Sequence, residues 1–164
     1  MNLPSILVTD TNIWIDLENG KILAKIFQLP YQFVTPDFAL EEFISTGWQT
    51  LQNLGLIIHS LESESVLELV RLRQNHHQVS VVDLSALLLA RALQAGLVTG
   101  DRRLKNLAIT HGVDVHGVLW ILDEMVVHQV LTPFQAAEAL QRMIANGARL
   151  PFDDCERRLK RWGE

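Results

Sequence analysis

Cysteine is almost absent from this chain: Cys155 is the only one in 164 residues. No internal disulfide framework is available, and a reducing cytoplasmic compartment is expected. Long apolar runs are lacking too. No uninterrupted stretch reaches the roughly 18 residues of a membrane span, and no basic N-terminal region precedes an apolar one, so neither a membrane protein nor a cleaved export signal is expected. Positive charge is scarce, with 14 Lys and Arg against 19 Asp and Glu and a formal net charge of −5. That balance excludes wholesale coating of nucleic acid, which needs a broad basic surface, and leaves room for local contact. Zinc-type spacing is missing as well. His76 and His77 are adjacent rather than one helical turn apart, and Cys155 has no cysteine partner, so the two histidines read as loop residues. Repeats, linkers and low-complexity segments are also wanting, and residues 1–164 read as a single domain that buries roughly 70% of its unfolded surface.

What is present is an alternation. Short apolar or β-branched runs at Ile6–Thr9, Gln32–Thr35, Leu56–His59, Leu97–Thr99 and Asp114–His116 are separated by longer segments of helical spacing. Strands alternating with helices imply crossover connections, hence an α/β fold with three layers and a mostly parallel central sheet. Helix punctuation agrees. "TPDFALEEF" offers Thr35 as N-cap and Pro36 at the first helical position. "SVVDLSALLLARALQAG" offers Ser80 as N-cap, Asp83 at capping-box spacing and Gly96 as a stop. "TPFQAAEALQRMIANG" repeats the device with Thr132, Pro133, Gln135 and Gly147, opening a C-terminal helical extension over about residues 132–164. The apolar residues of "GVLWILDEMVVHQVL", among them Leu119, Trp120 and Leu122, serve a core more readily than an interface.

Acids stand where such a sheet would bind ligands, beyond the carboxyl ends of its strands. Asp10 directly follows the first strand in "ILVTDTNIWIDL", and Asp101 follows the strand in "LVTGDRRL". Glu41 and Glu42 lie on the expected helix after the second strand, and Asp83 opens the helix leading into "LVTG". Each has an ordinary alternative: Asp10 as an N-cap, Asp83 as a capping-box acid, Asp101 as a turn residue. Neighbouring helix positions point about 100° apart, so one of Glu41 and Glu42 must face solvent. If acids from such distant segments converge, they raise one another's affinity for protons. A hard divalent cation such as Mg²⁺ or Mn²⁺, which prefers oxygen ligands, relieves that repulsion.

With those pieces in order, "ILVTDTNIWIDL", "TPDFALEEF", "VVDLSALLLARALQAGLVTGDRRLKNLA" and "VDVHGVLWILDEM" resemble the PIN domain, a metal-dependent nuclease fold. The resemblance implies an acidic quartet of Asp10, Glu42, Asp83 and Asp101 holding Mg²⁺ or Mn²⁺. Glu42 is preferred to Glu41 because the family's acid is commonly followed by an apolar residue, here Phe43. Small polar helpers fall on Thr11, Asn12 and Thr99. The tail resembles the prokaryotic VapC-like toxin branch, which implies an RNA substrate, a cognate antitoxin and a homodimer. The chain departs from the family at Arg103, where many relatives carry another acid, so one firmly held ion is expected. Arg102, Arg103 and Lys105 are the candidates for phosphate or RNA contact. Two other readings stay open: a PIN-like RNA-binding or scaffold module with a weak metal site, and an aspartate-nucleophile phosphatase of the haloacid dehalogenase kind. The second lacks its general acid, because Asn12 stands two residues after Asp10.

Overall fold

Five strands form one sheet in the computed structural model, which describes residues 5–163. They are β1 (Ser5–Thr9), β2 (Tyr31–Pro36), β3 (Ile57–His59), β4 (Gly96–Val98) and β5 (Val115–His116). The order across the sheet is β3-β2-β1-β4-β5, and every neighbouring pair is parallel. The chain runs outward from β1 to β3, then returns to the other side of β1 for β4 and β5. That reversal makes the carboxyl ends of β1 and β4 the switch point where an open parallel sheet leaves a crevice.

Helices cover both faces: α1 (Thr11–Asn19), α2 (Trp48–Leu54), α3 (Ser63–Asn75), α4 (Val81–Ala92), α5 (Arg102–Thr110), α6 (Val118–Val127), α7 (Pro133–Ala145) and α8 (Phe152–Trp162). Alternating strand residues serve two cores. Leu7, Phe33 and Val98 pack with Trp14 of α1, Leu122 of α6 and Leu140 of α7. Their neighbours Val8, Val34 and Leu97 pack with Leu69 of α3, Leu87 of α4 and Leu104 of α5. Burying each such side chain contributes about 1.5–3 kcal/mol relative to exposure, so a slip of one residue would forfeit both cores at once. The result is the expected three-layer α/β/α architecture.

The C-terminal helices join the first of these cores through Ala136, Leu140, Met143, Cys155 and Trp162. Thr132 caps α7 in a complete capping box: its hydroxyl accepts from the Gln135 N–H at 3.1 Å, and the Gln135 side chain accepts from the Thr132 N–H at 2.9 Å. Gly147, at φ +89°, ends the run as expected.

Two local expectations are corrected. Thr35 is not a helix cap: β2 continues through Pro36, and the buried Thr35 hydroxyl donates to the Thr9 carbonyl of the adjacent strand at 3.1 Å. A short 3-10 turn, Asp37–Glu41, replaces the helix, and Glu42 leaves it in extended backbone (φ −84°, ψ 143°). Gly96 is not a helix stop either. Gln94 takes the left-handed turn at φ +53°, while Gly96 pairs with Leu7 inside the sheet. A Cβ on Gly96 would lie 2.9 Å from a Leu7 methyl, so close packing rather than helix termination calls for glycine there.

Candidate active site

Asp10 leaves β1 at the switch point, with its backbone N–H on the Val98 carbonyl at 3.1 Å. Its side chain is buried at 3% exposure and divides its two oxygens. Oδ1 accepts from the Ile13 N–H at 3.1 Å and so caps α1; Oδ2 accepts from the Thr99 hydroxyl. The two readings of this aspartate, helix cap and site acid, are therefore compatible. Desolvation pushes its carboxyl up to about 7, against the pull of those two hydrogen bonds, and the nearby Asp83 and Asp16 push the same way.

The other acids gather around it. Asp101 caps α5 by accepting from the Leu104 N–H at 2.9 Å, and its own N–H donates to Thr99 Oγ1 at 3.1 Å. Thr99 thus relays one hydrogen-bond chain from the Asp101 backbone to the Asp10 carboxylate. Asp83 follows Ser80, whose hydroxyl caps α4 by accepting from the Asp83 N–H at 3.0 Å. Burial raises the Asp83 carboxyl to about 6; Ser80 opposes the shift, and Asp101 and Glu42 add to it. Glu42 accepts from the buried Thr11 hydroxyl at 3.0 Å. Four acids from distant segments thus lie near one another at one end of the sheet, with Asp83 feeling the charges of the other three.

Among the described residues, none of the four carboxylates has a Lys, Arg or His salt-bridge partner. Nor do any three His, Cys, Asp or Glu side chains of those residues close on one point as an ion's ligands. The donor chemistry still fits a hard divalent cation. The oxygens are all carboxylate, and the most buried one is held only by neutral donors.

The basic residues after Asp101 separate, as adjacent helix positions must. Arg102 lines a cleft of about 750 Å³ with Asn12, Asp101 and Arg149. Lys105 lines a second cavity, of about 320 Å³, with His116, Trp120 and Leu150. Arg103 instead faces a separate hollow beside His76, His77 and Asn106. The sequence reading missed two residues here. Asp16 lines both the cleft and the second cavity, and burial raises its carboxyl to about 6. Its position four residues after Asn12, on the same helix face, was the available signal. Arg149 lines the same two spaces from the chain between α7 and α8, and nothing local in the sequence places it there.

A family model described as a PIN domain matches residues 6–164. Among solved structures, the chain is similar to a PilT N-terminus domain protein from the hyperthermophilic archaeon Sulfolobus solfataricus P2. The identity is 17% and the TM-score 0.47, over 72% of this chain and 91% of that one. No curated protein sequence matches significantly.

Proposed function

The chain belongs to the PIN-domain family, and from that premise we propose that it is an endoribonuclease dependent on Mg²⁺ or Mn²⁺. PIN domains are generally nucleases that use divalent ions; the RNA preference and the choice of ion are this reading's own. The observation that carries it is Asp10: a buried carboxylate at the β1–β4 switch point, held by neutral donors and crowded by other acids. The family resemblance sets aside the phosphatase reading.

In this assignment Asp10, Glu42 and Asp83 hold the ion, and Asp101 completes the set or orients the attacking water. When bound, a divalent ion polarises a phosphodiester oxygen and lowers the pKa of a coordinated water. The chain's own task is positioning. Thr99 and the Ile13 N–H fix the Asp10 carboxylate, Thr11 steadies Glu42, and Asn12 and Arg102 border the cleft where a phosphate would lie. The products implied by the family are a 5′-phosphate and a 3′-hydroxyl.

The test is incubation of total RNA with Mn²⁺ or EDTA, beside the Asp10→Asn variant. Cleavage is expected only with Mn²⁺ and the wild-type chain; equal cleavage by the variant would refute the assignment. A second reading, an RNA-binding PIN-like module without a working metal centre, draws on the absence of three converged ligands among the described residues. Mn²⁺ calorimetry separates the two, because the module should show no heat that depends on Asp10 and Asp83.

The toxin role is a finer part of the same proposal. A cognate antitoxin would insert an arginine or lysine arm near the acids and compete with the metal, and a small open reading frame beside the gene is the cheap check. Light scattering on the purified chain tests the homodimer. Among the described residues no helix is long and apolar enough to cross a membrane, and the cytoplasmic assignment is tested by fractionation.

A further inference from the structure

The cleft beside Asp101 and the second cavity share three lining residues, Asp16, Gly100 and Arg149. The two are therefore neighbouring spaces that meet at these residues, the first of them reaching Asp101. The second holds about 320 Å³, at the lower end of the roughly 300–1,000 Å³ of small-ligand sites. Its walls combine apolar side chains, Ile13, Val118, Leu119, Trp120, Leu150 and Pro151, with charged ones, and His116 stacks on Trp120 at 3.9 Å between ring centroids. A partly open recess of that kind, with apolar and charged walls, suits a base together with its phosphate.

The charges in it decide what enters. Arg158 is committed to Asp123, and Asp154 to Arg157. Among the described residues, Lys105, Arg149 and Asp16 have no salt-bridge partner, and the Asp16 carboxylate has no hydrogen-bond donor. Two open cations and one open carboxylate leave the cavity net positive by one. A phosphodiester brings one negative charge and balances it, whereas an arginine or lysine arm of a protein would add to the excess.

We propose that this cavity is a guanine-nucleotide subsite next to the cleaved bond, with Asp16 reading the base and Lys105 and Arg149 holding the flanking phosphate. The proposal rests on the nucleic-acid reading above and adds a base preference to it. An ionised carboxylate only accepts hydrogen bonds, through two oxygens side by side. Guanine alone presents two adjacent donors, N1–H and the 2-amino group, on its pairing edge. Adenine and cytosine offer one amine beside a ring-nitrogen acceptor, and uracil one N–H between two carbonyls, so each turns an acceptor toward Asp16. Paired, charge-assisted bonds of this type discriminate bases strongly.

Binding in EDTA tests the subsite without cleavage. Fluorescein-labelled uridine hexamers carrying one guanine, inosine or adenine are titrated with wild-type protein and followed by anisotropy. Inosine, which lacks only the 2-amino group, is expected to bind about tenfold more weakly than guanine, and adenine more weakly still. Asp16→Asn should erase the guanine preference. Arg149→Ala should weaken all three hexamers alike and flatten the salt dependence. Asp16→Asn removes a half-buried charge that lacks a partner, so the variant should melt no lower than wild type; the guanine–inosine comparison needs no variant at all. Equal affinity for guanine and inosine overturns the proposal, as does a preference that survives Asp16→Asn, or displacement of every hexamer alike by an arginine-rich peptide seated at Asp16. Guanine preference without any RNA cleavage would remove the nuclease reading and leave the subsite standing. Cleavage without the preference would do the reverse.

Discussion

Asp10 and Asp123 are the same side chain in two settings, one at the end of the sheet and one between helices. Asp123 of α6 receives a two-pronged grip from Arg158 of α8, Nε on Oδ1 at 2.9 Å and a terminal nitrogen on Oδ2 at 2.7 Å, with Arg161 nearby. Its charge is answered within the fold, and the Asp123 hydrogen bond in turn raises the Arg158 pKa. Asp10 is more deeply buried and has a hydroxyl and a backbone N–H instead of a cation. A fold that could place arginine on Asp123 and puts none on Asp10 leaves the second carboxylate in deficit, and a divalent ion is what would relieve it. The ion-paired acid is a clasp; the acid held by neutral donors has no cation of its own among the described residues.

The sharpest way to break this contrast is to neutralise each acid in turn. Asp10→Asn should lower cleavage by more than the roughly 100-fold at which changes to groups behind metal ligands usually stop. It should leave the urea midpoint unchanged or raised, since a desolvated charge is removed and the amide oxygen can still cap α1. Asp123→Ala should do the opposite to stability, costing about 1–3 kcal/mol because Arg158 loses its charged partner. Urea titrations of both variants read the difference. If Asp10→Asn proves the more destabilised of the two, Asp10 is the clasp and the contrast collapses.

A smaller effect lies in pH. Asp10 titrates near 7, and Asp16 and Asp83 near 6, all above the ordinary 3.8. A carboxyl that binds its proton more tightly when folded stabilises the protonated folded state, so its contribution is complete below about 3.8 and disappears as pH rises through 6 to 7. In EDTA, the melting temperature should therefore fall between pH 4 and pH 7 more steeply for wild type than for Asp10→Asn. Added Mn²⁺ should raise it more at pH 8 than at pH 5, where protons compete for the same oxygens. An Mn²⁺ response of equal size at both pH values, and in Asp10→Asn, would detach the ion from these carboxylates.

The strands were legible because β-branched runs between caps carry their own local signal, and all five lie within a residue or two of expectation. Asp10 and Asp101 were ambiguous between cap and site because each has two oxygens, and one suffices to cap. What escaped depended on distant neighbours. The Thr35 hydroxyl is spent on a carbonyl 26 residues away, which extends β2 and turns the expected helix into a 3-10 turn. Gly96 reads as a helix stop until Leu7 is seen beside it. Arg149 reaches the cleft only because α7 packs back on α1 and α6, a long-range contact with no local pattern in the sequence.

Thr99 offers the finest test of the contrast. Its hydroxyl donates to Asp10 and accepts from the Asp101 N–H, so Thr99→Val removes both bonds with little change of shape. The stability loss should be about 2 kcal/mol, the size of two ordinary buried hydrogen bonds. One of the two bonds restraining the Asp10 carboxyl then vanishes, so its pKa climbs further above 7 and the acid limb of the cleavage profile moves to higher pH. On the alkaline plateau, where Asp10 is ionised in both proteins, the rates should differ by only a few-fold. A uniform loss at every pH with an unmoved acid limb would instead put Thr99 in contact with the substrate, and Asp10 would no longer need its neutral donors to explain its behaviour.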